Sequence, residues 1–164
     1  LAFRGFYVSN SETGAKRFVF AGFWLRGVCC NRNLWGVEDF NEISIVHSSG
    51  APARFSREAV PALNRYGETS AQSLISSVNA VKSLTLAKDD GDRTKVLSDL
   101  GFSKKRVDAI LDTVIAEDGK PAETAWDFIN GITGFARRID RQDERLEIER
   151  LAAGFARKAA KAAA

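Results

Sequence analysis

The spacing of apolar residues changes near residue 52. Before it, Ala2 to Ser9, Arg17 to Leu25 and Phe40 to His47 are short runs rich in Phe, Val, Ile and Trp, separated by Asn, Ser, Gly and Asp clusters. Such runs predict strands joined by turns. In the second run Phe18, Phe20 and Trp24 fall on one face and Val19, Phe23 and Leu25 on the other, so both faces ask for cover. Gly22 within it predicts a bulge or the close approach of another backbone. After residue 52 the period becomes helical. Leu74, Val78 and Val81 recur at helical spacing, and Val107, Ile110, Leu111, Val114 and Ile115 trace an amphipathic stripe. Ser103 is placed to cap that helix, with Arg106 three residues on instead of the acid of a capping box. Gly101 ends the helix before it, and Gly119-Lys120-Pro121 breaks the chain ahead of the next. Ala125, Ile129, Ile132, Ala136 and Ile139 stripe a further helix, and a last one runs from Arg141 into the terminal alanines. The prediction is an α+β fold, a small, mainly antiparallel sheet in residues 1–52 followed by four to five helices in residues 53–164, read as a single domain.

A chain of 164 residues that is 45% hydrophobic can close one sizeable core. The net charge of +3 permits contact with nucleic acid without demanding it. Cys29 and Cys30 are the only cysteines and are adjacent, so they do not staple a fold, and a reducing, cytoplasmic setting is expected. No apolar stretch reaches the length of a membrane span, and Leu1 to Val8 does not read as a signal peptide. The chain holds no methionine and begins at Leu1 inside a strand-like run, which predicts a fragment or processed form of a longer protein with an orphaned strand edge.

Polar residues that punctuate the aromatic runs are the candidates for chemistry. They are Asn10-Ser11-Glu12-Thr13-Gly14, Arg26-Gly27-Val28-Cys29-Cys30-Asn31, and His47. One histidine and two adjacent cysteines do not make a tetrahedral zinc site, no acidic cluster has calcium-loop spacing, and no glycine-rich phosphate loop is present. No metal and no cofactor is expected. Cys29 and His47 could act as nucleophile and base, or Cys29 could be a small apolar filler, which is the commoner role of the residue. The segment from Asn10 to Gly14 reads as a turn, and its side chains with Arg4, Lys16 and Arg17 could also hold phosphate or sugar oxygens. Arg26, at the end of an aromatic strand, needs a carboxylate or a phosphate; Glu12 is the nearest carboxylate if the first two strands form a hairpin. Arg137, Arg141 and Arg145 lie at i, i+4 and i+8, extended by Arg150, Arg157 and Lys161. Asp140, Glu144 and Glu147 lie close by, so this face is either internally paired or turned to a partner.

Two signatures together resemble a known family. The order N-S-E-x-G at Asn10 to Gly14, R-x-x-C-x-N from Arg26 through Cys29 to Asn31, and a strand ending at His47 looks like the phage/plasmid-like family called domain of unknown function 932. The second signature, Thr124-Ala125-Trp126-Asp127-Phe128-Ile129-Asn130-Gly131-Ile132-Thr133, is similar to the T-A-W-D-x-x-N-x-[IV]-T helix near that family's C-terminus. The match covers residues 5 to about 160, and a full-length member would carry a further N-terminal third. Arg32 stands where the family often has Gly, and Val46 where a basic residue usually precedes the histidine. The resemblance implies a protein of mobile elements in a bacterial host and supplies no catalytic residues; its layout is similar to single-strand annealing proteins.

The residues allow the same reading. Phe6, Tyr7, Phe23, Trp24 and Trp35 interleave with Arg4, Lys16, Arg17, Arg26 and Arg32, a mixture that stacks bases and tracks a phosphate backbone, though the aromatics also suit a core. The leading expectation is a non-enzymatic oligomer that binds single-stranded nucleic acid, most simply DNA. The rivals are a small-molecule enzyme using Cys29, His47 or Arg26, and an interaction module that docks a phage or host protein.

Overall fold

A computed structural model describes residues 2–10, 13, 17–26, 32–33, 43–68 and 71–163. β1 (Ala2–Ser9) and β2 (Phe18–Arg26) form an antiparallel hairpin. Along the other edge of β2 sit two short strands, β3 (Arg32–Asn33) opposite Trp24 and Leu25, and β4 (Ile43–Ile45) opposite Phe18 to Phe20. The hairpin register runs unbroken from Ala2 opposite Arg26 to Ser9 opposite Val19, so Gly22 makes no bulge. Gly22 lies directly across from Phe6, where an aromatic side chain can cover the bare glycine. β4 ends at Ile45, so His47, placed at the end of the third run, lies beyond it and is exposed, while Phe40 to Glu42 lie outside the described residues.

Against the face of Phe18 and Phe20 lies one continuous helical run: α1 (Ala51–Arg54), a π-helical segment at Phe55–Ala59, and α2 (Val60–Glu68). Phe20, 1% exposed, packs with Ala62 and Tyr66, and the ring of Phe55 meets Phe18 edge-on with centroids 5.2 Å apart. The Tyr66 hydroxyl donates to the Gly5 carbonyl at 3.0 Å, tying α2 to β1. The π segment has an identifiable cause. Pro61 has no N–H for Arg57 and its ring crowds the preceding turn, and the wider turn before it, closed from the Val60 amide to the Phe55 carbonyl, makes room.

The rest is helical: α3 (Ala71–Ser83), α4 (Asp90–Asp99), α5 (Lys104–Asp118), α6 (Ala125–Arg137) and α7 (Gln142–Ala162). The α+β class is therefore as predicted, with the run over residues 51–68 added. α6 is the centre, touching α3, α5 and α7. Of its residues only Trp126, Phe135 and Arg137 escape full burial. Its polar members Asp127, Asn130 and Thr133 are buried along with the apolar ones. Phe128, Ile132 and Ala136 join Leu97, Val107, Ile110, Val114, Ile148 and Ala152 in the main core, while Val81, Ala125, Ile129, Ala156 and Ala159 form a second cluster toward α3. Ile115, an expected member of the α5 stripe, is 51% exposed, because α5 turns its Val107–Ile110–Val114 side to α6.

The turns follow the glycines. Gly101 (φ 90°) follows α4, and Gly119 (φ 69°) closes α5 with its amide on the Ile115 carbonyl at 3.0 Å. Ser103 stands at the N-cap of α5 but its hydroxyl makes no capping bond; the Arg106 and Val107 amides donate instead to its carbonyl, both at 2.9 Å. Residues 84–87 run beside residues 122–125, with the Leu86 amide on the Glu123 carbonyl at 2.8 Å and the Ala125 amide on that of Leu84 at 2.9 Å. Arg93, 8% exposed, locks α4 to this loop through Nε to the Ala122 carbonyl at 2.8 Å and Nη1 to Asp90 at 2.7 Å.

Candidate nucleic-acid interface

Residues opposite one another in an antiparallel pair share a face of the sheet. The register therefore sets Arg4 beside Trp24, Phe6 beside Gly22, Val8 beside Phe20 and Arg26 beside Ala2, all on the face that α2 covers at Phe20. That cover is incomplete toward β1. Phe6 is 59% and Val8 46% exposed, although the Phe6 ring leans on Phe20 with centroids 5.5 Å apart. Two basic and two aromatic positions thus share one partly open face. Arg32 lies across from Leu25 and so belongs to the opposite face, at the same end of the hairpin.

The other end of the hairpin carries Asn10 and Arg17, both exposed. About 30 Å of strand separates Arg17 from Arg26. Among the described residues the candidate positions of the sheet therefore divide between the two ends of the hairpin. Arg17 lines a cleft of about 290 Å³ with Ser9 and Val19 on the sheet side and Asp143, Leu146, Glu147 and Arg150 on α7. Ser11, Glu12, Gly14, Lys16, Cys29 and Asn31 lie outside the described residues, so the Arg26 to Glu12 pair and the Cys29 to His47 pair do too.

The arginine stripe of the C-terminal region is not one helix face. α6 ends at Arg137, Arg141 is the N-cap residue of α7, and Arg145 lies within α7. Residues 138–141 reorient the chain between them, which sequence spacing alone does not register. Arg137 meets Glu117 of α5 at 2.6 Å, Arg145 meets Glu149 at 2.9 Å, and Arg106 meets Glu144 at 2.5 Å. Two of these pairs join different helices and the third holds Glu149, 1% exposed, inside the bundle. Arg141 is exposed.

Thr124, Trp126, Asp127 and Thr133 of the second signature each have a structural role. Thr124 and Asp127 make the capping box of α6: the Thr124 hydroxyl accepts from the Asp127 amide at 3.3 Å, and Asp127 Oδ2 accepts from the Thr124 and Glu123 amides at 2.9 and 3.0 Å. Trp126 carries the Lys82 ammonium 5.1 Å from its ring centre, joining α6 to α3. Asn130 and Thr133 are buried, and the Thr133 hydroxyl donates back to the Ile129 carbonyl at 2.9 Å. Burial acts to raise the Asp127 carboxyl, but the Thr124 and Glu123 amides, the Thr124 side chain and Lys120 together outweigh it and hold the group below the usual carboxylate range. A lowered folded value stabilises the protein above the unfolded value and loses that contribution as the pH falls through the folded one. Asp127→Asn is expected to lower stability by about 1 kcal/mol at neutral pH, and the gap to wild type to close below about pH 4. Urea unfolding of both proteins across the acid limb measures it; a gap independent of pH would remove the carboxylate from the account.

Among the described residues no three of His, Cys, Asp and Glu come together as metal ligands, and no helix is long and apolar enough to cross a membrane. What sequence reasoning missed is the contribution of α7 to the Arg17 cleft, since residues so distant in sequence meet only through the fold. Compared with protein-family models, with curated proteins and with solved structures, the chain matches none of them.

Proposed function

We propose that this chain is a mobile-element protein that binds single-stranded nucleic acid, most simply DNA, as an oligomer, with the open sheet face as its base-stacking platform. The observation that carries the reading is the exposure of Phe6 (59%) and Val8 (46%) on the face that the register shares with Arg4, Trp24 and Arg26. Apolar side chains left in water beside the part of the face that α2 covers are costly unless something uses them, and every base offers a π-face to stack on an aromatic ring. Arginines at the same end add phosphate contacts that need no base identity. The two sequence signatures support the mobile-element part of the proposal, and no enzymatic step is part of it.

Titration of a fluorescent oligothymidylate at low and moderate salt tests the proposal. Binding is expected to weaken steeply as salt rises, and Phe6→Ala to lose about tenfold in affinity with the salt dependence unchanged. A flat titration at low salt overturns it. Light scattering with and without the oligonucleotide separates self-assembly from assembly driven by ligand.

A further inference from the structure

We infer that the C-terminal half of α7 is a second contact for the same ligand, a phosphate-tracking stripe made by Arg150, Arg157, Lys158 and Lys161. The inference rests on the reading of the chain as a nucleic-acid binder. Its first support is where the charge sits. Residues 150–164 hold these four basic residues and no acidic one, whereas the whole chain, with 24 basic and 21 acidic residues, nets only +3. The excess positive charge of the protein is therefore carried by one stretch of helix, and the remainder is close to neutral.

Geometry arranges three of the four, Arg150, Arg157 and Lys161, in a line, with Lys158 about 100° around the helix from Arg157. Positions 150, 154, 157 and 161 recur at three- and four-residue intervals, which puts them on one side of α7, while Ala152, Ala153, Ala156 and Ala159 on the other side are buried. Arg150, Arg157, Lys158 and Lys161 are all exposed. Unlike Arg137 and Arg145, the last three have no ion-pair partner among the described residues. Compensation of the helix dipole explains Lys161 only, since that effect fades beyond the last turn.

One further observation links the stripe to the sheet. Arg150, beside Asp143 and Glu147 of α7, lines the cleft that Arg17 and Ser9 line from the hairpin, so exposed Val8, Asn10 and Arg17 lead around the turn end of the sheet to the start of the stripe.

The test compares wild type, Phe6→Ala, the triple variant Arg157→Gln/Lys158→Gln/Lys161→Gln and the charge-keeping triple Arg157→Lys/Lys158→Arg/Lys161→Arg. The probe is an oligothymidylate of about 20 nucleotides, long enough to pass both surfaces. The glutamine triple is expected to lower the slope of log affinity against log salt by about 2, at roughly 0.7 per phosphate contact, with the charge-keeping triple at the wild-type slope. All the changed residues are exposed, and circular dichroism checks that the helices stay intact. An unchanged slope in the glutamine triple, beside weaker binding by Phe6→Ala, overturns the stripe and leaves the sheet reading standing. Absence of wild-type binding at low salt overturns both. Binding of wild type to phosphatidylserine vesicles that the oligonucleotide does not compete away, abolished in the glutamine triple, assigns the stripe to a lipid surface and overturns it as well.

Discussion

Phe128→Ala is expected to cost about 3–5 kcal/mol of unfolding free energy, the range for emptying a fully enclosed phenylalanine site. Phe128 is 0% exposed and sits in the core cluster with Leu97, Ile110, Val114, Ile132 and Ile148. Its neighbours come from α4, α5, α6 and α7, so no single side chain can move to fill the space, and the cavity term adds to the lost transfer energy. A loss of this size is a large part of the roughly 5–15 kcal/mol that holds a typical domain. Ile115→Ala is the matching control. Spacing alone puts Ile115 on the core stripe of α5, but it is 51% exposed, and its truncation should move stability by no more than about 0.5 kcal/mol. Denaturant midpoints of the two variants decide the matter. Equal losses would mean that α5 packs on α6 with a different side from the one described.

The contrast between these two isoleucine and phenylalanine positions shows what periodicity carries. A stripe gives the direction in which a helix is buried, not the width of the burial. For α6 the stripe of Ala125, Ile129, Ile132 and Ala136 is buried, and its fifth expected member, Ile139, lies beyond the helix end and is half-buried; Phe128 beside the stripe and Asp127, Asn130, Gly131 and Gly134 on the far side are buried as well. Polar and glycine residues hide that second buried side from any hydrophobic count. The hairpin was legible because β1 and β2 have enough alternating residues to set a register, and Gly101 and Gly119 because left-handed backbone favours glycine. The run over residues 51–68 was not legible, since Pro61 argues against a continuous helix unless a π turn absorbs it, although Pro52 suits the first turn of α1.

The candidate site was legible only in its parts. Alternation placed Phe18, Phe20 and Trp24 on one face of the second run, and the pairing of β1 with β2 then added Arg4, Phe6 and Arg26 to that face. Which cations are spent on internal pairs is a property of the tertiary fold. Arg137 finds Glu117 twenty residues away and Arg106 finds Glu144 across 38, distances at which spacing says nothing. The carboxylates expected to neutralise the arginine stripe were Asp140, Glu144 and Glu147; Arg137 pairs instead with Glu117 of α5, Arg145 with Glu149 four residues on, and Glu144 with Arg106. The consequence is a redistribution of candidate contacts, away from Arg137 and Arg145 and toward Arg17, Arg157, Lys158 and Lys161.

Gly131→Ala should destabilise the protein by a net of about 1–3 kcal/mol, against the direction that helix propensity gives. In an isolated helix the change would stabilise by about 1 kcal/mol. In α6 the added methyl would sit 2.4 Å from Val114 Cγ2 and 3.3 Å from both Ile110 Cγ2 and the Ile110 carbonyl. Val114 and Ile110 are 1% and 0% exposed, so neither can swing into solvent, and the carbonyl belongs to the backbone of α5. The two helices must separate, which opens space around Phe128 and Ile132 and costs more than the propensity returns. Gly134→Ala is the milder case, because its nearest contacts are Thr113 Cγ2 at 2.9 Å and the Glu117 carboxylate at 3.0 Å, and the latter is the movable end of a side chain. Val114→Ala removes the closest clashing methyl, so in the Gly131→Ala background its own cost should shrink, giving a favourable coupling of about 1 kcal/mol or more in a double-mutant cycle. Chemical unfolding of the four proteins of that cycle settles it. A Gly131→Ala protein as stable as wild type would mean that α5 and α6 do not meet at this glycine, and the packing account of the Thr124 to Thr133 signature would fall with it.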